Sequence, residues 1–183
     1  MAPEFTARDG LRYGALGLPL AFVALPLYVH LPAHYATRFG LPLASLGALL
    51  LLARALDAVV DPWLGRLCDR ALGRGSLGWP LAAAAVLLVA GFAGLFFPPV
   101  QQHPALLAWA GAGLVITYLA YSGLSVLHQA WGARLGGSAA RQSRVVAWRE
   151  GFALVGVVSA SLLPSLAGFG ATTLALAVTL AAG

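Results

Sequence analysis

Arg54, Asp57 and Asp61 stand inside the apolar run from Leu41 to Leu67, in the order Leu-Leu-Ala-Arg-Ala-Leu-Asp-Ala-Val-Val-Asp-Pro. On a helix the three side chains fall within about 60° of one another, and Gly65 continues the same stripe. An ionisable side chain at mid-helix costs about 2.5–3.5 kcal/mol to insert into a bilayer. The stripe must therefore pair internally and face other helices or a water-filled cavity, which makes an ion or substrate pathway the default reading. Two acids one turn apart can share a hard cation through oxygen ligands, or hold a proton where burial disfavours charge. Arg54 pulls the other way, favouring ionised carboxylates. The trio can thus alternate between an internal ion pair and a cation-loaded state.

A second polar stripe is formed by Tyr118, Tyr121, Ser122, Ser125 and Gln129, which share one helical face that ends at Gly132. Such a face either lines a cavity or bonds to a neighbouring helix, and five polar groups in register favour the cavity. Arg149 aligns with Phe152, Gly156 and Ser159, so it faces either the same cavity or the membrane interface, where it can snorkel or pair with Glu150. His128 lies off the Tyr118 stripe. His30 and His34 stand one turn apart without a third ligand nearby, so no metal site is expected.

The elements that carry these residues follow from composition. With 60% hydrophobic and 9% charged residues the chain is an all-α integral membrane protein, not a soluble domain. No Asp, Glu, Lys or Arg lies between Arg12 and Arg38, between Arg74 and Arg134, or after Glu150, and each gap accommodates one or two spans. The pattern predicts helices over about 13–37, 41–67, 79–97, 105–131 and 145–167, with a sixth from 169 that is cut off at 183. Those fifteen residues rise only about 22 Å, short of a hydrocarbon core of about 30 Å, so the protein is expected to continue beyond Gly183. The formal charge of +5 arises entirely from arginine. With a cytoplasmic N-terminus, Arg8, Arg12, Arg66, Arg70, Arg74, Arg134, Arg141 and Arg144 all fall on the cytoplasmic side, so the charge records topology and no nucleic-acid partner is expected. Cys68 has no partner for an intrachain disulfide.

The run Ala53-Arg54-Ala55-Leu56-Asp57-Ala58-Val59-Val60-Asp61-Pro62-Trp63-Leu64-Gly65 resembles the second-helix signature of the glycoside-pentoside-hexuronide:cation symporters of the major facilitator superfamily. Tyr13-Gly14, the loop pattern Gly65-x-x-x-Asp69-Arg70-x-x-Gly73-Arg74, Trp131-Gly132 and Arg149 match in the same order along the chain. The resemblance implies that residues 1–183 are the N-terminal six-helix bundle of a twelve-helix carrier in the inner (plasma) membrane, its C-terminal half missing. It also implies that Asp57 and Asp61 couple the cation, that Arg54 and Arg149 face the cavity, and that Trp131 borders the substrate. Gly65, Asp69, Arg70 and Arg74 would gate the cytoplasmic loop. Val60 stands where melibiose carriers have an Asn, which removes an oxygen ligand and leans toward protons over sodium. The first- and fourth-helix acids that anchor sugar in those carriers fall near Gly17-Leu18-Pro19-Leu20 and Leu127 here and are missing.

The expected function is secondary active transport: symport of a small organic solute, a sugar among the candidates, with H+ or Na+ and no other cofactor. A non-transporting membrane subunit or truncated half-gene is the second reading, because six helices alone leave a carrier's cavity open on one side. A lipid head-group transferase is the remote third. Asp57, Asp61 and Asp69 superficially resemble its metal-binding aspartates, but Arg54 precedes them and a fourth acid is absent.

Overall fold

Apolar segments cross hydrocarbon as helices because a helix satisfies its backbone donors and acceptors internally. A computed structural model describes residues 5–73, 78–135 and 137–183 and contains only helices and their connections among them. Helix α1 (Ala7–Ala15), α2 (Gly17–Leu25), a π-helical turn (Pro26–His30) and α3 (Leu31–Phe39) follow one another in the first apolar stretch. After these come α4 (Leu43–Gly73), α5 (Gly78–Phe96), α6 (His103–Leu135) and α7 (Ala139–Ala182). Among the described residues five helical stretches are long and apolar enough to span a membrane: Ala7–Phe39, Leu43–Arg70, Gly78–Phe96, His103–Leu135 and Ala139–Ala182.

Local chemistry explains where the helices begin and change character. Thr6 caps α1 reciprocally: its Oγ1 accepts from the Asp9 amide at 3.3 Å, while Asp9 Oδ2 accepts from the Thr6 amide at 3.0 Å. This capping box starts the helix at Ala7, before the apolar run itself begins. Pro26 opens the π turn, because proline lacks an N–H and its ring crowds the carbonyl four residues back, so a wider turn takes up the misfit. The stretch closes on Gly40 in the left-handed conformation (φ 69°), which caps α3 and releases the chain into α4. α4 runs on to Gly73, beyond the apolar run, because Arg66, Asp69 and Arg70 extend it as a polar helix end.

The backbone packs as two compact units. The first comprises Met1–Leu25 and Leu127–Gly183, and here α1 and α2 pack on α7. Small residues let the backbones approach: Gly10 lies under the Trp148 ring, Gly14 against Phe152 and the Trp148 carbonyl, and Gly17 against Arg149. Gly156 returns the contact from α7, meeting the Leu18 carbonyl and the Phe22 amide. Phe5, Tyr13 and Val145 form a buried cluster with Trp131, Leu135 and Trp148 packed around it.

α7 is two helices. Gly156 touches Leu18, and a Cβ on Gly183 would lie 3.0 Å from the Leu16 Cα, so these two positions, 27 residues apart, meet the same turn of the first span. A continuous helix would separate Gly156 from Gly183 by about 40 Å. The chain therefore doubles back, and it does so at Gly168, whose φ of 77° and ψ of 173° are not helical and suit a residue without Cβ. The two arms of α7 lie on either side of Gly168.

The second unit, Pro26–Val126, is held by polar contacts between apolar helices. The Tyr35 hydroxyl donates to the Leu95 carbonyl at 2.7 Å, and Trp109 Nε1 donates to the Gly94 carbonyl at 2.8 Å. His103 Nε2 lies 3.0 Å from the Phe39 carbonyl. Leu88, Phe92, Leu95 and Phe96 of α5 are fully buried in this unit.

A side chain at Gly156 has to displace backbone rather than a flexible neighbour. Gly156→Ala is expected to destabilise the protein by about 1–3 kcal/mol. Gly151→Ala, on the same helix with open space around it, is expected to be neutral or mildly stabilising. Thermal unfolding of both variants in detergent checks the difference.

Candidate functional site

α4 and α6 bring the Arg54–Asp61 stripe and the Tyr118–Ser125 part of the second stripe together inside the second unit, while Gln129 belongs to the first. Asp57 is 2% exposed and both of its oxygens are engaged. Arg54 Nη1 donates to Oδ2 at 2.8 Å, and the Ser122 hydroxyl donates to Oδ1 at 2.8 Å. The first bond links adjacent turns of α4 and the second ties α4 to α6. Arg54 is only partly withdrawn from solvent, its side chain 54% exposed, so the ion pair is buried at its acid end and open at its basic end.

Asp61 sits one turn further along α4 and differs in kind. Its Oδ1 is buried and meets no hydrogen-bond donor among the described residues. A carboxylate oxygen withdrawn from water without a donor is costly as an anion. The energetic remedies are a proton or a cation. The Arg54–Asp57–Asp61 stripe is thus divided by structure into an acid with both oxygens bonded and a half-buried one whose Oδ1 meets no donor among the described residues.

The rest of the α6 stripe is graded in burial. Tyr118 is buried within electrostatic range of Arg54 and Asp57, with Tyr28 beside it at 6.0 Å between ring centroids. Tyr121 and Ser125 are partly exposed, and Gln129 is exposed. Gly65 has open space where a side chain would stand. Asp69 and Arg70 are exposed on the last turns of α4, and Arg74 lies outside the described residues.

Trp131 and Arg149 belong to the first unit and gather around Tyr13. The Tyr13 ring lies 5.4 Å from Trp131, edge to face, and 4.4 Å from His128. His128 Nε2 is 2.8 Å from the Tyr13 carbonyl, and Gly132 lies against the Tyr13 hydroxyl. Arg149 reaches the same phenol and grips Glu150 Oε1 through Nε and Nη2, at 3.0 and 2.6 Å. His128 is therefore a brace between α6 and α1. Tyr13 organises this cluster, although reading the sequence for charge and polar stripes passes over it. The available signal was the glycine at each contact: Gly132 in α6 and Gly17, which bears on Arg149, both leave room for large side chains.

The comparisons with known proteins agree with this arrangement of apolar helices and intramembrane charge. A family model described as MFS/sugar transport protein matches residues 12–182. The chain belongs to this family. Membership of this family fits a multi-pass membrane protein and gives no support to the head-group transferase reading. The chain is similar to the "Putative glycoside/cation symporter YagG" of Escherichia coli (strain K12), with 37% identity over 67 residues. That match covers 37% of this chain and 15% of the length of its relative. No solved structure matches.

For this MFS/sugar transport protein, removing the Ser122 hydroxyl leaves one oxygen of a buried acid without a donor. Ser122→Ala is expected to cost about 1–3 kcal/mol, read by thermal unfolding of the purified protein. Ser122→Thr, which keeps the hydroxyl, is expected to retain most of that stability.

Proposed function

We propose that the intact protein is a cation-coupled symporter working by alternating access, with Asp57 and Asp61 as its cation-loading pair. The observation that carries this reading is the asymmetry of the two acids: Asp57 is paired with Arg54 and accepts a hydrogen bond from Ser122, whereas the buried Asp61 Oδ1 meets no donor among the described residues. Loading a cation at Asp61 supplies the missing positive partner and competes with Arg54 for Asp57. The absence of an oxygen ligand at Val60 favours H+ over Na+ as the coupling ion. Arg54, Tyr118, Tyr121, Ser122, Ser125, Gln129, Trp131 and Arg149 are the proposed substrate-facing residues, and Gly65, Asp69 and Arg70, which lie on the last turns of α4 rather than in a loop, are proposed with Arg74 to gate the cytoplasmic side.

The proposed substrate is a small organic solute. The printed name of the similar protein favours a glycoside, and the Tyr, Ser and Gln side chains of α6 offer hydroxyl partners. The cavity is proposed to be completed by a second six-helix half, and the arginine distribution supports a cytoplasmic N-terminus in a plasma membrane.

In the intact carrier Asp61→Asn is expected to abolish uphill accumulation of substrate while leaving exchange down a gradient measurable. Uptake into energised vesicles, with and without an imposed proton or sodium gradient, makes the test. Undiminished accumulation would remove Asp61 from coupling, and accumulation driven only by sodium would reverse the choice of ion.

A further inference from the structure

The face of α4 opposite the charged stripe carries a second pattern, of which the proposed transport function uses only Arg70, in the cytoplasmic gate. Leu52, Leu56, Val59, Trp63, Arg66 and Arg70 fall within about 80° of one another on the helix, on the side away from Asp57 and Asp61. All six are exposed, Trp63 at 65%. The stripe therefore begins as an aliphatic strip and ends as one aromatic ring followed by two guanidinium groups.

Depth along the helix places the change of character. α4 begins at Leu43, directly after the turn at Gly40. Trp63 lies about 30 Å further along the axis, which is the thickness of the hydrocarbon core. The ring then stands where aromatic residues anchor at the interface, and Arg66 and Arg70 stand at headgroup level. The guanidinium of Arg66 lies over the Trp63 ring, 4.4 Å from its centroid. It forms no ion pair with Asp69, the acid one turn on, although that spacing allows one. Its charge is held in place by the ring, and among the described residues no acid pairs with it, so its outward N–H donors can meet a ligand.

We propose that Trp63, Arg66 and Arg70 form a binding site for the headgroup of an anionic phospholipid, with one acyl chain lying along Leu56, Val59 and Leu52. Charge complementarity selects the occupant. Two guanidinium groups at headgroup depth match a phosphate bidentately and favour a lipid with net negative charge over a zwitterionic one. The aliphatic strip below them matches the chain. A zwitterionic lipid offers the same tail, but its own cation faces the two arginines.

The intact protein is reconstituted in nanodiscs of phosphatidylcholine containing rising fractions of phosphatidylglycerol brominated near the headgroup. Trp63 emission is obtained as the difference between the wild type and Trp63→Phe. Quenching is expected to reach half its maximum at a phosphatidylglycerol fraction roughly fivefold below that needed with brominated phosphatidylcholine. Raising the ionic strength should reduce the preference. Arg66→Gln is expected to remove most of the preference, and Arg66→Lys to keep part of it. Equal quenching by the two lipids in the wild type overturns the proposal and leaves Trp63 an ordinary belt residue. Quenching by neither overturns it too, and shows that protein covers this face. The wild-type comparison alone decides between these outcomes, whether or not the Arg66 variants fold.

Discussion

The structure depends on satisfying a carboxylate in a place with almost no water. Asp57 is withdrawn from solvent, and in hydrocarbon an uncompensated charge is disfavoured by several kcal/mol. Arg54 on the preceding turn and Ser122 on another helix share the task. Because one of those donors comes from α6, the requirement sets which face of α6 meets α4. Tyr118, one turn before Ser122, is carried to the same place. Electrostatic need thus acts as a packing instruction, in a setting where apolar helices gain little by choosing one neighbour over another.

Close backbone approach supplies the complementary constraint. In the first unit, Gly10, Gly14 and Gly17 remove side-chain bulk from one face, and Trp148, Phe152 and Arg149 fill the space. Tyr13 occupies the room left by Gly132 and contacts His128, Trp131 and Arg149. Glycine here serves as the receptor for large or charged side chains. The turn at Gly168 depends on the same absence of a Cβ, used for conformation rather than space.

Much of this was legible in the sequence. Apolar runs and the arginine pattern mark the membrane helices, because bilayer thickness imposes a length that composition reveals directly. The Arg54, Asp57 and Asp61 stripe is equally visible, since helical periodicity alone puts the three on one face. The family follows from the same motif and matches nearly the whole chain. Helix ends were harder to read: the capping box at Thr6 and the polar tail of α4 extend helices past their apolar cores, where hydropathy carries no signal.

What the sequence by itself determined is which residues are too costly to leave unpaired in a membrane, for cost depends on side-chain type and depth. Tertiary structure alone decided how each is paired. Ser122 lies 65 positions from Asp57 along the chain, and nothing local to either residue says that they meet. Nor does the sequence distinguish Asp57 from Asp61, two acids one turn apart on the same helix. Packing of α6 delivers one hydroxyl, and Asp57 receives it. The Oδ1 of Asp61 stays buried without a donor among the described residues. A donor is supplied by a neighbour in space, and the identity of that neighbour is a property of the packed helices.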